Sequence, residues 1–383
     1  MISEKIFEIV NSLEEEYYER WEQICNIESP TNHKAGVDAV GQYFIDFAKS
    51  RSWQVDIHNE EISGNAVCIT MNPDVDARPV SLSGHMDTVF PLGAFGYPPT
   101  KRDAQKIYGP GVKDCKGGIV AALMAMDALD RCGFRERPIQ LLLQSDEENG
   151  SCKSHKETIK YICQQAKDTV AFLNLEGHIK GRACMERKGI VTFKFEVSGI
   201  EAHAASCATE GANAILEASH KIIEMEALKD EEGITCSTGI IKGGTVVNTV
   251  PGRCSFECNI RYATAEQYKW VYDYAKKVCD TMHVPGCKCE LSISSYRTAM
   301  EYSERNYELL DKINDILTAN GMGALSPQKR KGGSDAADTT EYGLPTIDSI
   351  GVEGENIHST DEFAYLASLP QAAIRIALIA CYI

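Results

Sequence analysis

Three adjacent acids, Asp146-Glu147-Glu148, follow the apolar run Ile139-Gln140-Leu141-Leu142-Leu143-Gln144. The run reads as a buried strand. Carboxylates crowded at its end repel one another and resist desolvation unless a cation lies close by. The same arrangement recurs along the chain. Pro79-Val80-Ser81-Leu82-Ser83 leads into Gly84-His85-Met86-Asp87-Thr88, residues 169–175 end in Glu176-Gly177, and the strand read over 345–350 feeds a loop with His358-Ser359. Asp114 stands in a Gly-rich loop, Tyr108-Gly109-Pro110-Gly111-Val112-Lys113-Asp114-Cys115-Lys116-Gly117-Gly118, that opens a helix. The loop lacks the Gly-x-x-x-x-Gly-Lys-Ser/Thr order, and Asp114 would repel phosphate.

In an α/β sheet, ligands bind beyond the carboxyl ends of the strands. His85, Asp114, Glu148, Glu176 and His358 are therefore expected to gather at one edge as metal ligands. The charges balance: two divalent cations against three carboxylates and one hydroxide, with two neutral histidines. Oxygen and nitrogen donors without cysteine suit zinc, or cobalt or manganese. Such a pair acidifies a bound water and polarises a carbonyl. Glu147 is the spare carboxylate, free to take the water's proton and hand it to a leaving amine. Asp87 can accept the other N–H of His85 and fix its tautomer.

The elements that must position these residues follow from periodicity. Residues 6–27 carry apolar side chains at helical spacing, and helices are expected over 36–50, 119–131, 154–166, 309–320 and 369–383. Residues 332–338 read as a loop. From about 183 to 295 the pattern changes to strand, helix, strand, strand, helix, strand, beginning with the alternation Ile190-Val191-Thr192-Phe193-Lys194-Phe195-Glu196-Val197. That order fits a small two-layer α+β domain, ferredoxin-like, inserted into an α/β catalytic domain with a mixed sheet flanked by helices. The expected borders are 1–182 and 296–383 for the catalytic domain and 183–295 for the insert.

Composition narrows the function. The chain has 383 residues, with 39 basic against 55 acidic side chains and a net charge of −16. An acidic chain argues against nucleic acid as partner, since phosphate binding wants a basic face. No apolar run is long enough to span a membrane. The N-terminus is acidic and amphipathic rather than basic and then apolar, so a cytoplasmic location is expected. The 15 cysteines are expected to be reduced. Cys254 with Cys258, and Cys287 with Cys289, lack the spacing of a structural zinc knuckle.

The motifs Ser83-Gly84-His85-Met86-Asp87-Thr88-Val89, Tyr108 to Asp114, Asp146-Glu147-Glu148, Leu175-Glu176-Gly177 and Ile357-His358-Ser359 together resemble those of the M20 metallopeptidases. Within that family the chain resembles the glutamate carboxypeptidase (carboxypeptidase G2-like) branch, over nearly its whole length. The resemblance implies two Zn2+ per subunit bridged by Asp114, one held by His85 and Glu176, the other by Glu148 and His358. It implies Glu147 as general acid/base, Asp87 as the partner of His85, and a homodimer built through the inserted lid domain. It further implies that His203 enters the partner subunit's site to steady the oxyanion. Asn248 and Arg261 would hold substrate, with Arg261 clamping a carboxylate through paired hydrogen bonds, and Gly333 and Ser334 would contact it. The chain departs from the family at Ala202-His203-Ala204-Ala205, where Ser-His-Ala-Gly is usual, and at Asp114-Cys115, where many relatives carry Asp-Asp or Asp-Met. That bond is often cis in the family, and the sequence leaves its state here open.

The activity expected is hydrolysis of an amide bond next to a free carboxylate, in small peptides or N-acyl amino acids. The close rival is an N-acyl-amino-acid deacylase of the acetylornithine deacetylase, succinyl-diaminopimelate desuccinylase or aminoacylase type. A catalytically silent binding module is disfavoured, because every ligand and Glu147 are present.

Overall fold

The computed structural model describes residues 2–229 and 233–383. The chain forms two compact units: Met1–Glu186 with Tyr302–Lys329 and Ser334–Ile383, and Arg187–Glu301 with Arg330–Gly333.

The larger unit is built on one mixed sheet. Strands β1 (Gln54–His58), β2 (Ala66–Met71), β3 (Val80–His85), β4 (Ile139–Gln144) and β5 (Ala171–Asn174) lie in the order β1-β2-β4-β3-β5, followed by Thr346–Ile347. β4, β3, β5 and Thr346–Ile347 run parallel, while β1 and β2 are antiparallel additions. The parallel strands read as apolar runs because both faces are covered. On one face the helices Lys116–Arg131 and Ser368–Tyr382 pack with Val67, Leu82, Leu141, Leu143 and Leu173. On the other, Ile159 and Ile162 of the helix Glu157–Gln165 meet Cys68, Leu142 and Phe172. All four parallel strands therefore deliver their carboxyl ends to one edge.

Two glycines let the covering layer close on that edge. A Cβ at Gly118 would lie 2.0 Å from the Leu175 carbonyl oxygen, and one at Gly351 would lie 2.2 Å from the same atom. The Lys116–Arg131 helix and the loop after Thr346–Ile347 thus press on the peptide that carries Glu176.

The structure corrects several sequence expectations. The helix over 6–27 is two helices, Ile2–Ser12 and Glu14–Cys25. Ser12 Oγ donates to Ile9 O, and the Leu13 N–H is shared between Ile9 O and Val10 O, so the first helix tightens and stops. Residues 332–338 are not all loop: Ser334 Oγ accepts from Ala336 N and caps a helix, Asp335–Glu341. The strand over 345–350 shrinks to Thr346–Ile347, because Ser349 turns the chain with a φ of 65°. His358 consequently does not follow the end of a strand of the main sheet. It lies in the loop between the short strands Gly354–Glu355 and Phe363–Tyr365.

The smaller unit is a two-layer α+β insert. Its strands β6 (Gly189–Ser198), β7 (Thr235–Gly243), β8 (Arg253–Tyr262) and β9 (Lys288–Arg297) pair antiparallel in the order β7-β8-β6-β9. Val191, Phe193, Phe195, Phe256 and Ile260 point to one face, where Ala218, Val271 and Ala275 of the helices Ala214–Glu226 and Ala265–Asp280 complete the core. Alternation along β6 and β8 sets that face.

Gly118→Ala should destabilise the chain by about 1–3 kcal/mol, the usual cost of forcing a methyl into a filled contact. Urea unfolding measures it, and an unchanged midpoint would contradict the close approach at Leu175.

Candidate active site

His85 is the last residue of β3. Glu147 and Glu148 lie just past β4 on a single helical turn, Glu147–Asn149, and Glu176 lies just past β5. Asp114 precedes the Lys116–Arg131 helix, and the Asp114–Cys115 peptide bond is cis.

These side chains converge. Asp114 Oδ1 is 3.3 Å from His85 Nε2, and Asp114 Oδ2 is 3.2 Å from His358 Nε2. His85 Nε2 is 3.7 Å from Glu176 Oε1, and His358 Nε2 is 3.3 Å from Glu148 Oε2. One carboxylate thus stands between two histidines, each with its own glutamate. His85 and Asp114 are buried, whereas the His358 side chain is 54% exposed, so the cluster opens to solvent on that side.

Asp87 organises the cluster from below. It is fully buried. Its Oδ1 lies 3.3 Å from His85 Nδ1, and the Asp87 carbonyl oxygen lies 3.0 Å from the same nitrogen. The carboxylate also accepts the backbone N–H groups of Glu147 (3.1 Å) and Glu148 (3.2 Å) and the Thr31 hydroxyl (2.7 Å). A single acid therefore fixes both a histidine and the turn that bears the two glutamates. Asp146 faces away from the cluster, with its carboxylate on Ser154 N and Thr158 Oγ1.

The titration behaviour reflects crowding. Burial, then the neighbouring Asp114, pushes the Glu148 carboxyl up to about 8. Hydrogen bonds to Asp114 and Glu148 raise the His358 imidazole to about 10. Burial opposes a charge on His85, yet hydrogen bonds to Asp114 and Asp87 raise it well above its ordinary value. Burial also works against the Asp114 carboxylate, but the two histidines hold it far below the usual range.

The donor set fits divalent cations. Tetrahedral coordination at about 2.0–2.1 Å spaces its ligands about 3.3 Å apart, close to the separations found here. His85, Asp114 and Glu148 form one group of donor atoms within 4.8 Å of one another, and His85, Cys115 and Glu176 form a second. Cys115 was not expected to be a ligand. Its Sγ donates to Leu175 O at 3.3 Å, and burial keeps the thiol protonated.

The sequence pattern of peptidase family M20/M25/M40 matches residues 81–381. The chain belongs to this family. It is a metal-dependent hydrolase, as M20 chains are. It is 26% identical over 359 residues to carboxypeptidase G2 of Pseudomonas sp. (strain RS-16), covering 91% of this chain and 85% of that one. It is also 26% identical over 309 residues to the succinyl-diaminopimelate desuccinylase of Rickettsia felis, covering 75% of this chain and 78% of that protein. The crystal structure of the Bacillus subtilis YxeP protein, described as a dinuclear metal-binding peptidase of family M20, shares the fold. Its TM-score is 0.67 at 13% identity, with 97% of this chain and 98% of that chain covered.

The remaining candidates are placed as follows. His203 and Asn248 are neighbours within the smaller unit: Ala202–His203 pairs with Thr249–Val250, and Ala204 N donates to Asn248 O at 2.9 Å. The exposed His203 ring accepts Ala205 N through Nδ1 at 3.1 Å. Arg261, on β8, donates from Nη1 to Lys331 O at 2.8 Å. Gly333 is half-buried. Ser334 is fully buried, and its hydroxyl is engaged by Asp348 Oδ2 and Asn174 Nδ2, both at 3.2 Å.

Two residues around the cluster escaped the sequence reading. Glu362 is fully buried against the Asp114 loop, and burial followed by the Asp114 charge raises its carboxyl to about 7. Its signal was an acid shortly after His358, in Ser359-Thr360-Asp361-Glu362. Arg375 is the lone charge in the apolar helix Ser368–Tyr382. Its Nη2 donates to Ile350 O and Gly351 O, both at 2.9 Å, and burial lowers the guanidinium to about 10.

In the metal-free protein His358 carries a proton at pH 7, since its imidazole is raised to about 10. A cation must displace that proton. Zinc uptake at pH 7 should therefore release protons, and apparent affinity should rise with pH until His358 titrates near 10. Calorimetry in two buffers of different ionisation enthalpy measures the release, and a buffer-independent heat would contradict it.

Proposed function

We propose that this chain is a dinuclear zinc hydrolase that cleaves an amide bond next to a free carboxylate in small peptides or N-acyl amino acids, in the manner of a glutamate carboxypeptidase. The observation that carries the proposal is the Asp114 carboxylate, with its two oxygens turned to two different histidines. His85 and Glu176 would hold one cation and Glu148 and His358 the other, with Asp114 between the two histidines able to serve both. Cobalt or manganese suits the same donors.

Bound cations supply Lewis acidity at the scissile carbonyl and acidify the attacking water. The rest falls to the chain. The Glu147 carboxylate takes the proton from that water and delivers it to the leaving nitrogen. Asp87 holds the Glu147 backbone and the His85 ring at once, so base and ligand keep a fixed relation. His203 from a second copy of the chain steadies the oxyanion. Asn248 holds the substrate, Arg261 clamps its carboxylate, and the backbone at Gly333, beside the anchored Ser334, lines it.

A homodimer is supported by an exposed apolar face on the smaller unit. Leu216 (48% exposed) and Ile223 (69%) lie on one helix, which packs beside the edge strand β7, whose Ile241 (53%) points to the same side of the sheet. An edge strand with such neighbours invites pairing with another copy. Fifteen cysteines, all free, support a reducing compartment, the cytoplasm. Among the described residues no helix is long and apolar enough to cross a membrane.

The likeness to carboxypeptidase G2 spans more of the chain than that to the desuccinylase, which favours carboxypeptidase action over deacylation. A zinc-loaded panel separates them: dipeptides ending in glutamate or aspartate against acetylornithine, succinyl-diaminopimelate and other N-acyl amino acids. Cleavage of the dipeptides supports the proposal; cleavage confined to the acyl compounds makes the chain a deacylase. Glu147→Gln should keep its metal yet lose turnover by about 10²-fold or more, and near-normal turnover would refute its role. Mixing Glu147→Gln with His203→Ala protein should restore activity, whereas no recovery after verified subunit exchange would refute action across the dimer.

A further inference from the structure

We infer that Glu362 is the positioning residue that sets Asp114 between His85 and His358, by clamping the Asp114 loop to the His358 loop. The inference rests on the ligand assignment proposed above and adds to it a residue outside the donor set.

The contacts run both ways. Glu362 Oε1 accepts Lys113 N at 2.9 Å and Asp114 N at 3.1 Å, and Oε2 accepts Gly111 N at 3.3 Å. The Glu362 carbonyl oxygen accepts Gly109 N at 3.3 Å. On the other side, Glu362 N donates to Ser359 O at 2.9 Å, and Ser359 N donates to Asn356 O at 3.1 Å, closing the turn that carries His358. Four bonds thus grip residues 109–114, and one grips the residue after His358. Gly111 adopts a φ of +75°, which turns the successive N–H groups inward into a concavity that takes an anion. The anion is a side chain from far along the sequence, fully buried, so its place in the concavity is fixed by the fold.

Asp114 and His358 lie on loops, not on strands. His85 and Glu176 are placed by β3 and β5, and Glu147 and Glu148 by Asp87. Asp114 must nonetheless point one oxygen at each histidine within a few tenths of an ångström. The Glu362 side chain grips the Asp114 backbone directly, and its own backbone carries the tie to the His358 turn. Groups that orient metal ligands in this way typically affect metal affinity by about 10–100-fold.

The test is zinc affinity by competition with a chromogenic chelator on Glu362→Ala, Glu362→Gln and Asp114→Asn, with thermal unfolding of each metal-free protein alongside. Glu362→Ala should bind zinc about 10–100-fold more weakly while reaching the wild-type stoichiometry at saturation. Glu362→Gln keeps one oxygen for Lys113 and Asp114 and should fall between it and wild type. A residue of purely structural importance would shift the melting temperature and leave the affinity of the folded protein alone. Folded Glu362 variants with wild-type affinity, beside an Asp114→Asn that has lost it, overturn the positioning role only. Unchanged affinity in all three overturns the ligand assignment and this inference with it. If Glu362→Ala does not fold, Glu362→Gln decides.

Discussion

The structure depends on the electrostatic problem created at one edge of the sheet. Asp87, Asp114, Glu147, Glu148, Glu176 and Glu362 are brought close together, and Asp87, Asp114, Glu147 and Glu362 are buried. Withdrawing a carboxylate from water costs several kcal/mol even after relaxation. The chain offsets part of this internally. Asp87 accepts two backbone N–H groups and a hydroxyl, and Glu362 accepts three backbone N–H groups. Asp114 is left with two histidines, and Glu148 with one. Cations are the natural completion of such a set, because they convert mutual repulsion among the acids into shared attraction.

Two kinds of support hold the set in place. Parallel strands, covered on both faces, fix His85 and the approach to Glu176 and Glu148. Buried polar links fix what the strands cannot reach: Asp87 under the Glu147–Asn149 turn, Glu362 under the Asp114 loop, and Arg375 under the carbonyls of Ile350 and Gly351. The glycines at 118 and 351 remove side chains that would hold the helix and the loop away from Leu175. Activity thus draws on residues that never touch substrate, and their loss would be felt through the ligands.

Much of this was legible in the sequence, because strand-end acids and histidines leave a local signature. His85, Glu148 and Glu176 each sit next to an apolar run whose burial can be read directly, and the alternation in β6 announces a strand with one covered face. His358 is singled out by the apolar run over 345–350, of which only Thr346–Ile347 is strand; its own loop is ordered by short strands too brief to show periodicity. Glu362 and Arg375 were missed for a different reason. Their partners are backbone atoms far away in sequence, and a backbone N–H or carbonyl leaves no mark in residue types. Ser334 was read as part of a loop, yet its hydroxyl caps a helix and meets Asp348 and Asn174 inside the protein. Whether a polar side chain turns inward or outward is a matter of packing that no local pattern records.

The central claim is that Asp114 bridges two cations. Anomalous diffraction from crystals grown with zinc, collected on either side of the zinc absorption edge, tests it most directly. The account predicts two peaks about 3.5–4 Å apart, one on each side of the Asp114 carboxylate, with His85 and Glu176 at one and Glu148 and His358 at the other. A single peak, or peaks that leave Asp114 outside the coordination sphere, would contradict it.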